Sequence, residues 1–388
     1  MSLILTFWQG LFRLPLILLL SLFVHLANAT TVEAALDATR SHKVVFINPG
    51  FADHGFWHDV ASTMSAAADQ LGFELEVYYS DRQWVKMVRN AEAVINGSDK
   101  PDFLILVNEY QEGARLLAMA DEAGIPTLML LNSLTSEQRG IYGASDGKLG
   151  NWIASLIPDN EIAGYEMAKS LVPVTSNQEK SGFTPIPLLT LAGDNNTPAS
   201  TSRLEGLDRA LTEFPQLQEQ RRISVNWSEQ EAYKRTRLWL ESGEHFGAVW
   251  AANDAIALGA MKAIREAGLQ PGVDVKIAGV NWTEAGIQHV MNGEMTLTHG
   301  GHFLAGGWAM VMLYDIVQRG DFNSRIEVRF PMAAITPINA PDYVKHFGSQ
   351  QWSRIDFKSF SLTHAKKQKE YQFTLDKLTQ SLRQPLRP

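Results

Sequence analysis

From Lys43 onward the chain repeats one pattern: a short apolar run, a polar loop, then a stretch with helical periodicity. Val44-Val45-Phe46-Ile47 is stopped by Asn48-Pro49-Gly50, as expected of a buried strand ending in a loop. Trp57, Val60, Ala61, Met64, Ala68 and Leu71 then line one helix face, closed by Gly72. Phe73, Leu75, Val77 and Tyr79 alternate with Glu74, Glu76 and Tyr78, which predicts a half-exposed strand. Apolar runs at 103–107 and 127–131 complete a first set, with a helical stretch through Ala114, Leu117 and Ala118 between them. The alternation restarts at 187–191, with a helix over 202–214, strands at 223–227, 248–252 and 275–280, and a helix over 255–267. Strands alternating with helices require right-handed crossovers and parallel sheets. Two such sets, separated near 143–185, predict an α/β fold: two similar doubly wound parallel-sheet lobes joined by crossover strands.

Ligands of open α/β sheets bind outside the carboxyl ends of the strands, so the natural site is a cleft between the lobes. Five strand-end loops carry suitable groups. They are 48–57 (Asp53, His54, Phe56, Trp57, His58), Asn226-Trp227, 250–254 (Asn253, Asp254), 279–283 (Asn281, Trp282) and 298–303 (His299, His302). Amides and carboxylates beside aromatic rings suit a polyhydroxylated ligand, because planar amides grip vicinal hydroxyls and an indole covers a sugar's C–H face. Each residue also has a plain structural reading: Asn253 or Asp254 caps a helix, and Trp57 opens an apolar stripe. Trp250 and Trp308 are expected in the core; Trp57, Trp227 and Trp282 are expected to face the cleft. His54 and His58 have the spacing of a metal pair, but Gly55 interrupts it, and His299 and His302 flank two glycines. No Walker A or G-x-G-x-x-G is present. The expectation is therefore no catalytic residue, no metal and no cofactor. A hydrolase using the cleft histidines is the alternative of another class, and a purely structural periplasmic protein is a third.

The first thirty residues set the compartment. A basic residue, the run Leu14-Pro15-Leu16-Ile17-Leu18-Leu19-Leu20, and Ala27-Asn28-Ala29 read as a secretory signal peptide over 1–29 with an A-x-A cleavage site. An uncleaved anchor helix is the alternative. The chain has no cysteine, hence no disulfide, no cysteine-ligated metal and no lipid-anchoring cysteine after the signal. A large core makes disulfides dispensable in an oxidising compartment. The net charge of -8 offers no general attraction to nucleic acid. These features predict a protein soluble in the periplasm and monomeric in solution.

Residues 246–260, ending in Ala251-Ala252-Asn253-Asp254-Ala255-Ile256-Ala257-Leu258-Gly259-Ala260, resemble the A-x-N-D-x-x-A-x-G-A signature of type I periplasmic sugar-binding proteins. Pro158-Asp159-Asn160-Glu161-Ile162-Ala163-Gly164 is similar to their S-D-N-x-x-G-G crossover, and Ile277-Ala278-Gly279-Val280-Asn281 to their V-x-G-F-D strand end. Asp53-His54-Gly55-Phe56-Trp57 sits where that family carries an aromatic loop. The resemblance spans about 43–340. It implies lobes over 42–158 plus about 301–330 and 159–300 plus about 331–350, followed by a C-terminal extension over 351–388. It implies ligand contacts from Asp53, Phe56, Trp57, Asn132, Trp227, Asn253 and Asn281. Of the family's two arginines near Ser202, Arg203 matches one while the sugar-gripping one falls on Thr201, and the familiar glutamine of the last crossover falls near His302. Asn281 also replaces the usual acid, so the resemblance implies a ligand other than ribose. It further implies delivery of a small polar, carbohydrate-like ligand to an ABC permease. Residues 143–157 look like an insertion. The Pro49-Gly50 to Trp57 spacing and the prolonged end are similar to autoinducer-2-binding receptors, which makes docking on a membrane sensor kinase the alternative partner. No helix-turn-helix precedes Lys43, which sets a repressor aside.

Overall fold

The apolar runs become the strands of two sheets in the computed structural model, which describes residues 40–142, 149–173, 184–322, 324–365 and 368–383. The expected signal segment over 1–29, residues 143–148 and Lys366-Lys367 lie outside the described residues. The first lobe runs β1 (His42–Asn48), α1 (Phe56–Leu71), β2 (Phe73–Tyr79), α2 (Trp84–Asn96), β3 (Phe103–Leu106), α3 (Gly113–Glu122), β4 (Thr127–Leu130), α4 (Ser136–Ile141) and β5 (Trp152–Pro158). The second runs α5 (Asn160–Ser170), β6 (Ile186–Ala192), α6 (Pro198–Glu213), β7 (Leu217–Ser224), α7 (Glu229–Glu241), β8 (Ala248–Ala251), α8 (Asp254–Glu266), β9 (Lys276–Val280), α9 (Glu284–Met291) and β10 (Leu297–Gly300). The chain then returns through α10 (Ala305–Arg319) and β11 (Ile326–Phe330) to the first lobe, and through β12 (Ala333–Ile335) to the second. It closes with α11 (Ala340–Phe347) and α12 (Leu375–Arg383).

The first sheet has the order β11-β5-β4-β3-β1-β2 and is parallel throughout. The second has the order β12-β10-β9-β8-β6-β7 and is parallel except for β12. In each, the strand order reverses beside the first strand, between β1 and β3 and between β6 and β8, which fixes a crevice at their carboxyl ends. Central strands β3, β4 and β8 are buried at every residue, whereas edge strand β2 buries only Phe73, exposes Glu74 and is half-buried from Leu75 to Tyr79. Helix α1 buries Trp57, Val60, Ala61, Met64, Ala68 and Leu71 and ends where Gly72, at φ +80°, donates its N–H to Ala68 O.

Two expectations are corrected. Residues 152–157 belong to no insertion: they are β5, paired with both β4 and β11. The strand expected over 223–227 lies earlier, at 217–224, because Asn226 and Trp227 adopt left-handed backbone (φ +49° and +60°) that a strand does not accept. Trp250 and Trp308 are core residues, as expected.

Beyond β12 the tail crosses between lobes. Tyr343 on α11 packs its ring 4.9 Å from Trp282 of the second lobe. Residues 352–360 then lie on α1 and α10, where Gln70 Nε2 donates to Ile355 O at 2.8 Å. Asp315, buried on α10, accepts from Ser361 Oγ, Leu362 N and Thr363 Oγ1, and Phe373 stacks on Trp308 at 4.9 Å. Among the described residues no helix is long and apolar enough to cross a membrane.

Candidate ligand-binding cleft

A cavity of about 370 Å³ lies between the lobes at the two crevices. Of the residues singled out in the sequence, His54, Phe56, Trp57, Asn132, Arg203, Trp227, Asn253, Asn281 and His302 line it. Asp53 and Thr201 do not. Asp53 points to solvent, 85% exposed, and binds His54 Nδ1 at 2.6 Å. Thr201 sits one helical turn into α6, where its hydroxyl donates back to the carbonyls of Thr197 and Pro198. The family resemblance implied both positions, and neither side chain reaches the cavity.

The aromatic wall is anchored from behind. Asn48 donates Nδ2 to Trp57 O (2.9 Å) and accepts from Gly50 N (2.8 Å), which folds the loop after β1 onto α1. Phe56 stacks on His302, with ring centroids 4.5 Å apart. Trp227 donates its indole N–H to Asp194 Oδ2 at 2.6 Å and lies flat over Gly193, where any Cβ would meet the ring. Burial opposes ionisation of Asp194, but donors from Thr197, Asn196 and Trp227 outweigh it and hold the carboxyl below its ordinary value. Trp282 departs from expectation. It is buried, donates its N–H to Ala333 O (2.9 Å) and packs under Gly300 and Gly301 as scaffold.

Adjacent residues of the Asn-Asp motif divide their roles. Asn253 caps α8, its Oδ1 accepting from Ile256 N at 2.8 Å, which leaves Nδ2 as the group with donors to offer the cavity. Asp254 turns inward and accepts from Thr283 N, Thr283 Oγ1 and Thr298 Oγ1 at 2.7–2.9 Å, tying together the loop after β9 and strand β10. Burial pushes its carboxyl up, against those donated bonds.

Arg203 is buried, with three of its nitrogens bonded to the protein. Nε donates to Asn160 Oδ1 (2.9 Å), Nη1 to Ala252 O (2.7 Å), and Nη2 meets His302 Nε2 at 3.2 Å. Burial pushes its guanidinium down to about 10. Burial, with the charges of Arg203 and His299 adding, pushes the His302 imidazole well below its ordinary value, so it is neutral. His299 is not a cleft residue: it is buried, with Nε2 2.7 Å from Glu166 Oε2. His58 binds Ala52 O, and among the described residues no group of three metal-capable side chains converges.

Two charged wall residues escaped the sequence reading, Arg82 and Glu109. Arg82 Nη2 lies 3.4 Å from Glu109 Oε2, and Asn132 Nδ2 donates to Glu109 Oε1 at 3.4 Å. Burial pushes the Glu109 carboxyl up, and Arg82 opposes it. Both follow strands, Arg82 after β2 and Glu109 after β3, so the rule used for the other loops pointed to them too. The wall is therefore aromatic and amide-rich, with each arginine facing a protein partner. Such a surface suits an uncharged polar molecule.

The periplasmic binding protein domain model matches residues 44–321. A solved periplasmic sugar-binding protein from Pseudomonas fluorescens superposes with a TM-score of 0.76 at 33% identity, over 87% of this chain and 99% of that one. A ribose import binding protein of Haemophilus influenzae is 26% identical over 79% of this chain and 96% of its own length. A xylitol-binding protein of Mycolicibacterium smegmatis is 27% identical over 44% of this chain, and the match spans 48% of that relative.

Proposed function

The chain belongs to the periplasmic binding protein family, and from that premise we propose that it is a periplasmic receptor that binds a small uncharged sugar or sugar-like molecule and delivers it to an ABC permease. The observation that carries this reading is the inter-lobe cavity, whose aromatic and amide wall keeps its charges engaged within the protein. Phe56, Trp57 and Trp227 cover the apolar faces of the ligand. Asn253 and Asn281 reach its hydroxyls, with Arg203 and His302 behind them as a rigid polar floor. Thr201 and Asp53 play no part. Relatives that bind ribose and xylitol by name favour import over the sensor-kinase and hydrolase readings.

Thermal-shift screening against pentoses, hexoses, furanosides, polyols and nucleosides tests the proposal, because a ligand bound only by the native state raises its stability by mass action. The expected result is a hit that titrates calorimetrically at one site per chain. No stabilisation by any carbohydrate or polyol, or stoichiometric zinc in the purified protein, would overturn it.

A further inference from the structure

The amide of Asn132 is shared between the lobes. Its Oδ1 accepts the backbone N–H of Ala199, in the first turn of α6 on the opposite lobe, at 3.0 Å. That N–H has no acceptor within its own helix, as for every first-turn donor. Thr197, the residue preceding α6, supplies no side-chain cap; its hydroxyl is turned to Asp194. A residue of the first lobe thus caps a helix of the second.

The orientation of the amide is unambiguous. A backbone N–H only donates, so Oδ1 faces Ala199, and Nδ2 must then face the acceptor oxygen of Glu109, as found. The side chain is buried and its backbone is locked. Asn108 N donates to Asn132 O (3.0 Å), Asn132 N donates to Leu130 O (2.6 Å), and Leu131 takes a left-handed φ of +63° that a leucine adopts only under constraint.

We propose that Asn132 is a positioning residue that latches the two lobes by capping α6 across the cleft, so that opening the cleft uncaps the helix. This inference rests on reading the cleft as a site that opens and closes. It assigns Asn132 to the closure equilibrium, whereas its hydrogen-bonding groups would otherwise be counted as ligand contacts.

The absence of cysteine from the sequence makes a direct test simple. Ile141→Cys and Val273→Cys place one dye on each lobe at residues about equally exposed (70% and 71%), and single-molecule energy transfer then reads the open-to-closed ratio without added ligand. Asn132→Ala should raise that ratio about five-fold, the worth of one cap. The exchanged pair Asn132→Asp with Glu109→Gln keeps an acceptor for Ala199 and reverses the bond between the two side chains. It also sets a carboxylate at a helix N-terminus, so it should hold the ratio at or below that of the parent. A ratio unchanged in Asn132→Ala, or an exchanged pair as open as the alanine variant, would overturn the latch. If no carbohydrate binds parent or variant, the receptor reading fails, and the ligand-free ratio still decides on the latch.

Discussion

Trp227 shows what a single cleft residue depends on. Its left-handed backbone, its bond to Asp194 and the bare face of Gly193 leave the ring one position, as a wall of the cavity. Trp227→Ala should cost about 1–3 kcal/mol of binding, the burial of one large ring face, measured by calorimetric titration. A change in melting temperature alone would make the ring scaffold. Asn253 serves both a helix and the ligand, and two variants separate the roles. Asn253→Asp keeps the capping oxygen and should melt near the parent while binding at least ten-fold more weakly; Asn253→Ala should lose binding and about 1 kcal/mol of stability as well. The sequence told much of this. Residues directly after predicted strands were legible because strand ends define the crevice, and the same rule reached Asn253 and Trp227. It misled at Asp53, whose loop turns outward, and it also covered Arg82 and Glu109, strand-end residues that the reading passed over.

Helices α5 and α6 are the element pair on which the cleft floor rests, and they meet backbone to backbone. A Cβ on Gly206 would stand 1.9 Å from Glu161 O, and one on Gly164 2.0 Å from Arg203 O. Arg203 rides on this contact, so any separation of the helices moves the guanidinium away from Asn160 and His302. Gly206→Ala should destabilise by about 1–3 kcal/mol in urea unfolding despite its better helix propensity. Gly140, in α4 with open space around it, provides the contrast: Gly140→Ala should be neutral or stabilising by up to about 1 kcal/mol. At this scale the buried central strands and the amphipathic helix α1 were readable, because burial on both faces and a 3.6-residue stripe leave direct marks. Strand β5 was masked by the Gly-rich segment before it. The tail over 352–363 was invisible for a different reason. Its short turns have no period of their own and are held by distant residues, Gln70 at 353–357 and Asp315 at 361–363.

Over the whole molecule, His302 is placed to report on closure. It sits where the chain crosses between lobes, stacked on Phe56 of the first and bound to Arg203 of the second. Its folded pKa is depressed, so as pH falls through about 6.5 the unfolded chain takes up a proton that the folded protein refuses. The unfolded state then binds more protons, and stability falls with falling pH. Glu109, Asp254 and Asp59, the last pushed up to about 6 by burial, act in the opposite sense, since their folded carboxyls take protons earlier than unfolded ones. The net curve therefore mixes two signs, and the His302 contribution is read as a difference. Between pH 7 and 5, the parent should lose stability relative to His302→Gln with a slope approaching about 1.4 kcal/mol per pH unit. Glutamine keeps an acceptor for Arg203 and does not titrate. A difference that stays constant with pH would mean that His302 protonates in the folded protein, which requires water at its ring and hence lobes that stand apart. The same measurement on Asn132→Ala joins the two scales. If the cross-lobe cap holds the cleft shut, its loss should flatten the slope that His302 produces.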